Sequence, residues 1–437
     1  MRALGGGTAA LEKAARRARR LDAQDPLAPF VDRFAPVPDG QVFLNGGSLG
    51  RLPAATPALL DRVVRGDWGD RLARARTQWL DLPQRVGNRM AAVALGARPG
   101  EVVVSDCTSV NLYKLTVAAL DARPGRRTVV VDDDNFPTDR YVVAGVAAGH
   151  GRALRTVHTD PDAGLDLETL RAAVDEDTAV VVLSLVSHRS GALLDMAEVH
   201  EIAHAQGALV LWDLSHAVGA VDLQLAATGA DLAVGATYKH LMAGPGCPAL
   251  LYVRRDLQSQ AVQPVHGWYG HREQLAMRPE YDPDPTIRRF LTGTPPALSV
   301  VAAEPALDLL AEAGMAAVRA KSRALTGFLT ELAGAVLVPR GLRPAGPADP
   351  ERRGAHVTYR HPQAGKLVPA LAEAELFVDY THPDRVRLSP APLSTRYADV
   401  VEAVRRFREV LTAFDPPPYR KGAGVPEAAV DPYGRAL

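Results

Sequence analysis

The chain has 437 residues, and its 50 Lys+Arg are balanced by 50 Asp+Glu. A zero formal charge excludes a nucleic-acid binder working through a basic field, because phosphate backbones are held by surplus Lys and Arg. Two cysteines, Cys107 and Cys247, exclude a disulfide framework and a four-cysteine zinc site, and the length predicts about two to three domains.

Residues 1–50 read as a basic, small-residue-rich arm or amphipathic helix. They lack the apolar stretch of a secretory signal. No apolar run reaches the roughly 18–20 residues of a membrane span. The expectation is a cytoplasmic protein with neither membrane nor nucleic-acid partner.

Residues 51–297 predict a large α/β domain. Val-rich runs at 101–106, 128–134, 179–187, 208–215, 232–238 and 249–255 read as buried parallel strands. Helical patterns follow the first run and precede the third and fourth. The first of these starts after Thr108–Ser109, a pair that suits an N-cap, and the last ends at Gly207. Residues 298–414 predict a smaller α+β domain of amphipathic helices around the short strands AHVTYRH and DRVRLSP. The Pro/Gly-rich tail, 415–437, reads as irregular.

Strand–helix alternation predicts a doubly wound sheet, whose ligands bind beyond the strands' carboxyl ends. Three features fall there. Asp213 ends the run ALVLWD, with His216 three residues on. Tyr238 and Lys239 end LAVGATYK. Thr108 and Ser109 open a helix after EVVVSDC. Each has a bland reading: a turn aspartate, a solvated lysine, a plain helix cap. Together they match the needs of pyridoxal phosphate. A lysine forms the Schiff base, an aspartate keeps the ring nitrogen protonated, and a helix N-terminus takes the phosphate. Only six of the 50 basic residues are lysines, so Lys239 stands out where arginine could not do the chemistry.

The segments FLNGGSLGRLP, SDCTSVNLYKL, DNFPTDRY, WDLSHAVGAV, YKHLMAGPG, GWYGH, FLTGTPP and RLSPAPL stand in the order seen in the kynureninases. From about residue 41 to 412 the chain resembles that family, pyridoxal phosphate enzymes of fold type I in the class V aminotransferase group. The resemblance implies the type I fold and hydrolytic Cβ–Cγ cleavage of L-kynurenine, or a related γ-keto amino acid, to an acid and L-alanine. It implies Lys239 as the Schiff-base lysine and α-proton shuttle, and Asp213 at the ring nitrogen. Phe136 would stack on the ring, Asp139 would assist at the cofactor's oxygen side, and His216 would lie beside it. Thr108, Ser109 and Tyr238 would hold the phosphate, with Tyr238 also a proton donor. Trp268 and Thr294 would reach the phosphate across a homodimer interface. Ser48, His188 and Arg387 would face the substrate; Arg387 is preferred to Arg385 as the carboxylate clamp because its spacing to Pro392–Leu393 matches the family.

The departures lie on the substrate side. Gly47 replaces an asparagine, His188 a tyrosine, His240 an aromatic, Met242 an asparagine, and Ser394 a position that is often tyrosine. The segment before Trp79 offers Arg74, Ala75 and Arg76 in place of an aromatic. Two readings stay open: kynurenine itself, or an altered substrate. The alternative is another class V enzyme, a C–S or C–C lyase, an epimerase or an aminotransferase. Cys107 and Cys247 read as inert buried thiols, and no histidine spacing suggests a metal.

Overall fold

The computed structural model describes residues 2–414; the tail read as irregular, 415–437, lies outside the described residues. The chain opens with helix α1 (Arg2–Gln24).

Seven strands form the main sheet: β1 (Val102–Ser105), β2 (Thr128–Asp132), β3 (Ala153–Val157), β4 (Thr178–Ser184), β5 (Leu209–Asp213), β6 (Leu232–Gly235) and β7 (Ala249–Val253). Their order is β1-β7-β6-β5-β4-β2-β3. Two sequence expectations are corrected here. Strand β7 runs antiparallel to both β1 and β6. Strand β3 was missed because it is an edge strand: it pairs only with β2, and Ala153, Leu154 and Thr156 are exposed. The inner strands read clearly because both faces are covered. Val102–Val104, Val129–Val131 and Val180–Val182 are almost wholly buried, each side chain contributing about 1.5–3 kcal/mol.

Helices α2 (Thr108–Asp121), α3 (Pro137–Gly149), α4 (Leu167–Ala173) and α5 (Met196–Ala205) flank the sheet. Asp166 and Asp195 cap α4 and α5 through first-turn N–H groups. Helix α2 begins differently from the sequence reading. Asp106 takes a left-handed backbone (φ 44°), so the chain turns one residue early. Cys107 is the N-cap, and Thr108 and Ser109 are the first two helical residues.

A second core joins α1 to α6 (Met315–Val336), α7 (Ala364–Glu373) and α8 (Tyr397–Ala413). Leu11, Ala14 and Ala18 of α1 enter this core with Phe328, Leu332 and Val404. These helices pack on an antiparallel sheet of β8 (Arg343–Pro344), β9 (Val357–Arg360), β10 (Asp379–Thr381) and β11 (Arg385–Leu388), in the order β10-β11-β9-β8. Residues 43–53 dock between the cores. The Gly50 N–H donates to the Tyr238 carbonyl at 2.8 Å. A Cβ on Gly50 would lie 2.4 Å from the Lys239 carbonyl, so only glycine permits this approach.

Candidate active site

The carboxyl ends of β1, β2, β4, β5 and β6 open on one edge of the main sheet, and a cavity of about 180 Å³ lies beyond them. It is lined by residues from six separate segments, among them Thr108, Ser109, Phe136, Asp139, His188, Asp213, His216, Tyr238 and Lys239. The sheet thus gathers nine sequence-predicted residues in one place.

Lys239 lies in the turn four residues past β6. Its Nζ is 2.9 Å from His216 Nε2 and 5.9 Å from the centre of the Phe136 ring. Burial pulls its pKa from 10.5 down to about 8, with Arg387 adding to the shift and Asp213 opposing it. An appreciable fraction of the amine is therefore uncharged near neutral pH. Burial also holds His216 and His188 neutral, the latter pushed down to about 3.

Asp213 is buried, and Ser215 fixes it. The Ser215 N–H and hydroxyl donate to one Asp213 oxygen at 2.8 and 2.5 Å. The Ser215 oxygen in turn accepts from the Ala236 N–H at 2.9 Å, which ties β5 to the Lys239 turn. Asp139, from the first turn of α3, hydrogen-bonds Asp213. Burial first, and then the neighbouring Asp213, raise the Asp139 pKa well above the carboxylate range. The raised pKa favours a protonated Asp139 that donates to the Asp213 carboxylate.

At the opposite side, the first turn of α2 presents Thr108 and Ser109 to the cavity. The N-cap Cys107 supplies no side-chain hydrogen bond, so the N–H groups of this turn stay available to an anion. Tyr238 is half-buried, and its phenol pKa is raised from 10.0 by burial and by Asp213. It keeps its proton through neutral pH.

Arg387 projects from β11. Its Nη1 donates to the His188 carbonyl at 2.8 Å, and its Nη2 to Ser48 Oγ at 3.0 Å and to Asp379. Ser48 Oγ donates to Asp379 at 2.9 Å. His188 meets Phe136 edge to face at 5.3 Å, joining this cluster to the cavity. Arg385 instead pairs with Asp162 at 2.6 Å.

Trp268 and Thr294 do not line the cavity of their own chain. Trp268 is half-buried against Tyr269, and Thr294 is exposed. Arg74 turns to the Asp70 and Arg71 carbonyls. The reading of two buried thiols is half corrected. Cys107 is exposed at the cavity, because an N-cap faces the open helix end, whereas Cys247 is buried with its thiol pushed up to about 11. Ser215 and Asp379 escaped sequence reasoning. Ser215 had a signal, a serine two residues after an aspartate at a strand end; Asp379 is recognised only from its cross-strand register. Among the described residues no three His, Cys, Asp or Glu side chains gather as a metal set.

The family profile described as "Aminotransferase class-V" matches residues 88–362, and that described as "Kynureninase C-terminal domain" matches 318–407. Kynureninase of Pseudomonas fluorescens is 41% identical over 399 residues, 90% of this chain and 94% of its own. Kynureninase of Burkholderia pseudomallei (strain K96243) is 39% identical over 407 residues, 91% of this chain and 96% of its own. In fold, the chain is similar to the apo cysteine desulfurase of Thermococcus onnurineus NA1, with a TM-score of 0.76 at 18% identity over 88% of this chain and 98% of that one. It is also similar to the cystine C–S lyase C-DES, with a TM-score of 0.74 at 17% identity over 85% and 98%. At such identities these structures speak for the fold alone, that of the type I pyridoxal phosphate enzymes. The sequence relatives span nearly the whole chain and agree with the C-terminal profile: the chain belongs to the kynureninase family.

Proposed function

We propose that the protein is a pyridoxal-phosphate-dependent hydrolase that converts L-kynurenine to anthranilate and L-alanine. One observation carries the reading: a depressed-pKa lysine, two neighbouring buried aspartates and an uncapped helix N-terminus line a single cavity.

These residues fit the cofactor. Lys239 would hold it covalently, Asp213 its ring nitrogen, Phe136 its face, and Thr108, Ser109 and the α2 N-terminus its phosphate. Asp139, next to Asp213, would support the ring-nitrogen side rather than the oxygen side. The bound cofactor supplies an electron sink for the bonds broken at Cα and between Cβ and Cγ.

The chain's own groups do the rest. Arg387 binds the substrate α-carboxylate with a guanidinium held in orientation by the His188 carbonyl, Ser48 and Asp379. Lys239, uncharged in part, takes the proton from Cα and returns it. Tyr238 donates at the γ-carbonyl oxygen as water adds there. His216, neutral and 2.9 Å from Lys239 Nζ, orients the amine.

The exposed Thr294 and half-buried Trp268 support a homodimer in which each subunit completes its partner's phosphate site. No helix among the described residues is long and apolar enough to cross a membrane, and we place the enzyme in the cytoplasm. The altered-substrate reading is not favoured: the curated relatives at about 40% identity are kynureninases. The test is a borohydride-reducible yellow chromophore at Lys239, lost in Lys239→Ala, together with alanine release from kynurenine. A colourless protein that pyridoxal phosphate cannot reconstitute would overturn the proposal.

A further inference from the structure

Lys114 is wholly buried, although it lies outside the cavity and the mechanism above does not use it. Its ammonium is fully satisfied. It donates to Asp106, to the Phe290 carbonyl at 2.7 Å, and at the limit of range to Ser105 Oγ at 3.5 Å. Burial pulls its pKa down, and Asp106 opposes that shift.

Asp106 is an awkward neighbour for an anion site. It stands two residues before Thr108, at the N-terminus of α2, and its backbone is held left-handed (φ 44°). Its second oxygen accepts from Thr292 Oγ1 at 3.4 Å. An unpaired carboxylate here would repel a phosphate dianion arriving at the same helix end. At an effective dielectric of about 20, charges a few ångström apart interact strongly enough to decide binding.

We propose that Lys114 is a positioning residue of the phosphate site: as the buried counter-ion of Asp106, it removes the repulsion at the start of α2 and fixes the loop that presents Thr108 and Ser109. Its bond to the Phe290 carbonyl ties that loop to residues 290–294, the segment ending in Thr294. The chain uses arginine at most basic positions. A compact ammonium with three convergent acceptors suits this pocket, where a planar guanidinium does not. The inference rests on the cavity being a pyridoxal phosphate site.

The test uses cofactor-free full-length protein, titrated with pyridoxal phosphate and with pyridoxal, which has no phosphate. For Lys114→Met the expected result is an affinity for pyridoxal phosphate at least tenfold weaker, with pyridoxal affinity changed less than twofold. The double variant Asp106→Asn/Lys114→Met removes both charges and should recover most of the loss. Asp106→Asn alone keeps the cation and should bind pyridoxal phosphate at least as tightly as wild type. That variant decides the matter if Lys114→Met does not fold. Equal losses for both ligands, no recovery in the double variant, or a tenfold loss in Asp106→Asn would each overturn the inference. Wild-type protein that binds pyridoxal but gains nothing from the phosphate would overturn it while sparing the Lys239 chemistry. Wild-type protein that binds neither would overturn the function itself.

Discussion

Asp379 sits directly opposite Arg387 in the antiparallel register of β10 and β11, and its carboxylate pairs with the guanidinium while also accepting from Ser48. Residues facing each other across such a ladder share one side of the sheet. The arginine proposed to bind the substrate carboxylate is thus aimed by a partner built into its own sheet.

That relationship makes Asp379 a positioning residue. Asp379→Asn should raise KM for kynurenine about tenfold while lowering kcat less. A charge-assisted hydrogen bond is worth about 1.5–3 kcal/mol, and only part of it serves orientation. Steady-state kinetics decide the matter; a fall in kcat with KM unchanged would assign Asp379 to chemistry instead.

The depressed Lys239 pKa sets a pH dependence. As the proposed Schiff-base lysine, Lys239 would attack the cofactor as its uncharged amine, so pyridoxal phosphate uptake by cofactor-free protein should speed up with pH and level off above about 8. The stability of the cofactor-free protein moves the same way. The unfolded chain keeps this proton up to about 10.5 while the folded site gives it up near 8, so stability rises as pH climbs through that window. A flat uptake profile over roughly one unit either side of that value, from about pH 7 to about pH 9, would contradict the assignment.

Burial and the neighbouring Asp213 raise the Asp139 pKa well above the carboxylate range, which favours its protonated form, so an amide should replace it well. Asp139→Asn is expected to retain activity within severalfold. Asp139→Ala removes the donor to Asp213 and should lose about ten- to a hundredfold, since a hydrogen bond to a charged group is at stake. Equal kcat/KM for the two variants would show that no hydrogen bond from residue 139 to Asp213 matters.

The proposed sharing of sites between subunits has a sharp consequence. Trp268→Ala and Lys239→Ala homodimers should each be nearly inactive. Mixed after unfolding and refolding together, they should recover about a quarter of wild-type activity, because half of the dimers are hybrids and each hybrid carries one intact site. No recovery would mean that Trp268 serves its own subunit.

The fold was legible where burial is two-sided. The valine runs of β1, β2 and β4 announced themselves, whereas β3 hid because an edge strand tolerates Arg155 and Thr156. Strand direction was not legible: β7 is as apolar and as fully buried as the parallel strands of the same sheet. The site was legible in pieces because Asp213, Lys239 and Arg387 stand in distinctive local motifs. Asp379 was not, because its pairing with Arg387 comes from a strand register that only the folded chain shows; Ser215 left only a local signal, a serine two residues past a strand-end aspartate, and the buried pairing of Lys114 with Asp106 depends on the turn before α2.

The central claim is tested most directly by incubating the pyridoxal phosphate-loaded protein with L-kynurenine and quantifying anthranilate and L-alanine. The account predicts equimolar products at a kcat on the order of 1–10³ s⁻¹, abolished in Lys239→Ala. A loaded, yellow enzyme that leaves kynurenine intact, while cleaving a C–S bond or transferring the amino group of another amino acid, would contradict it.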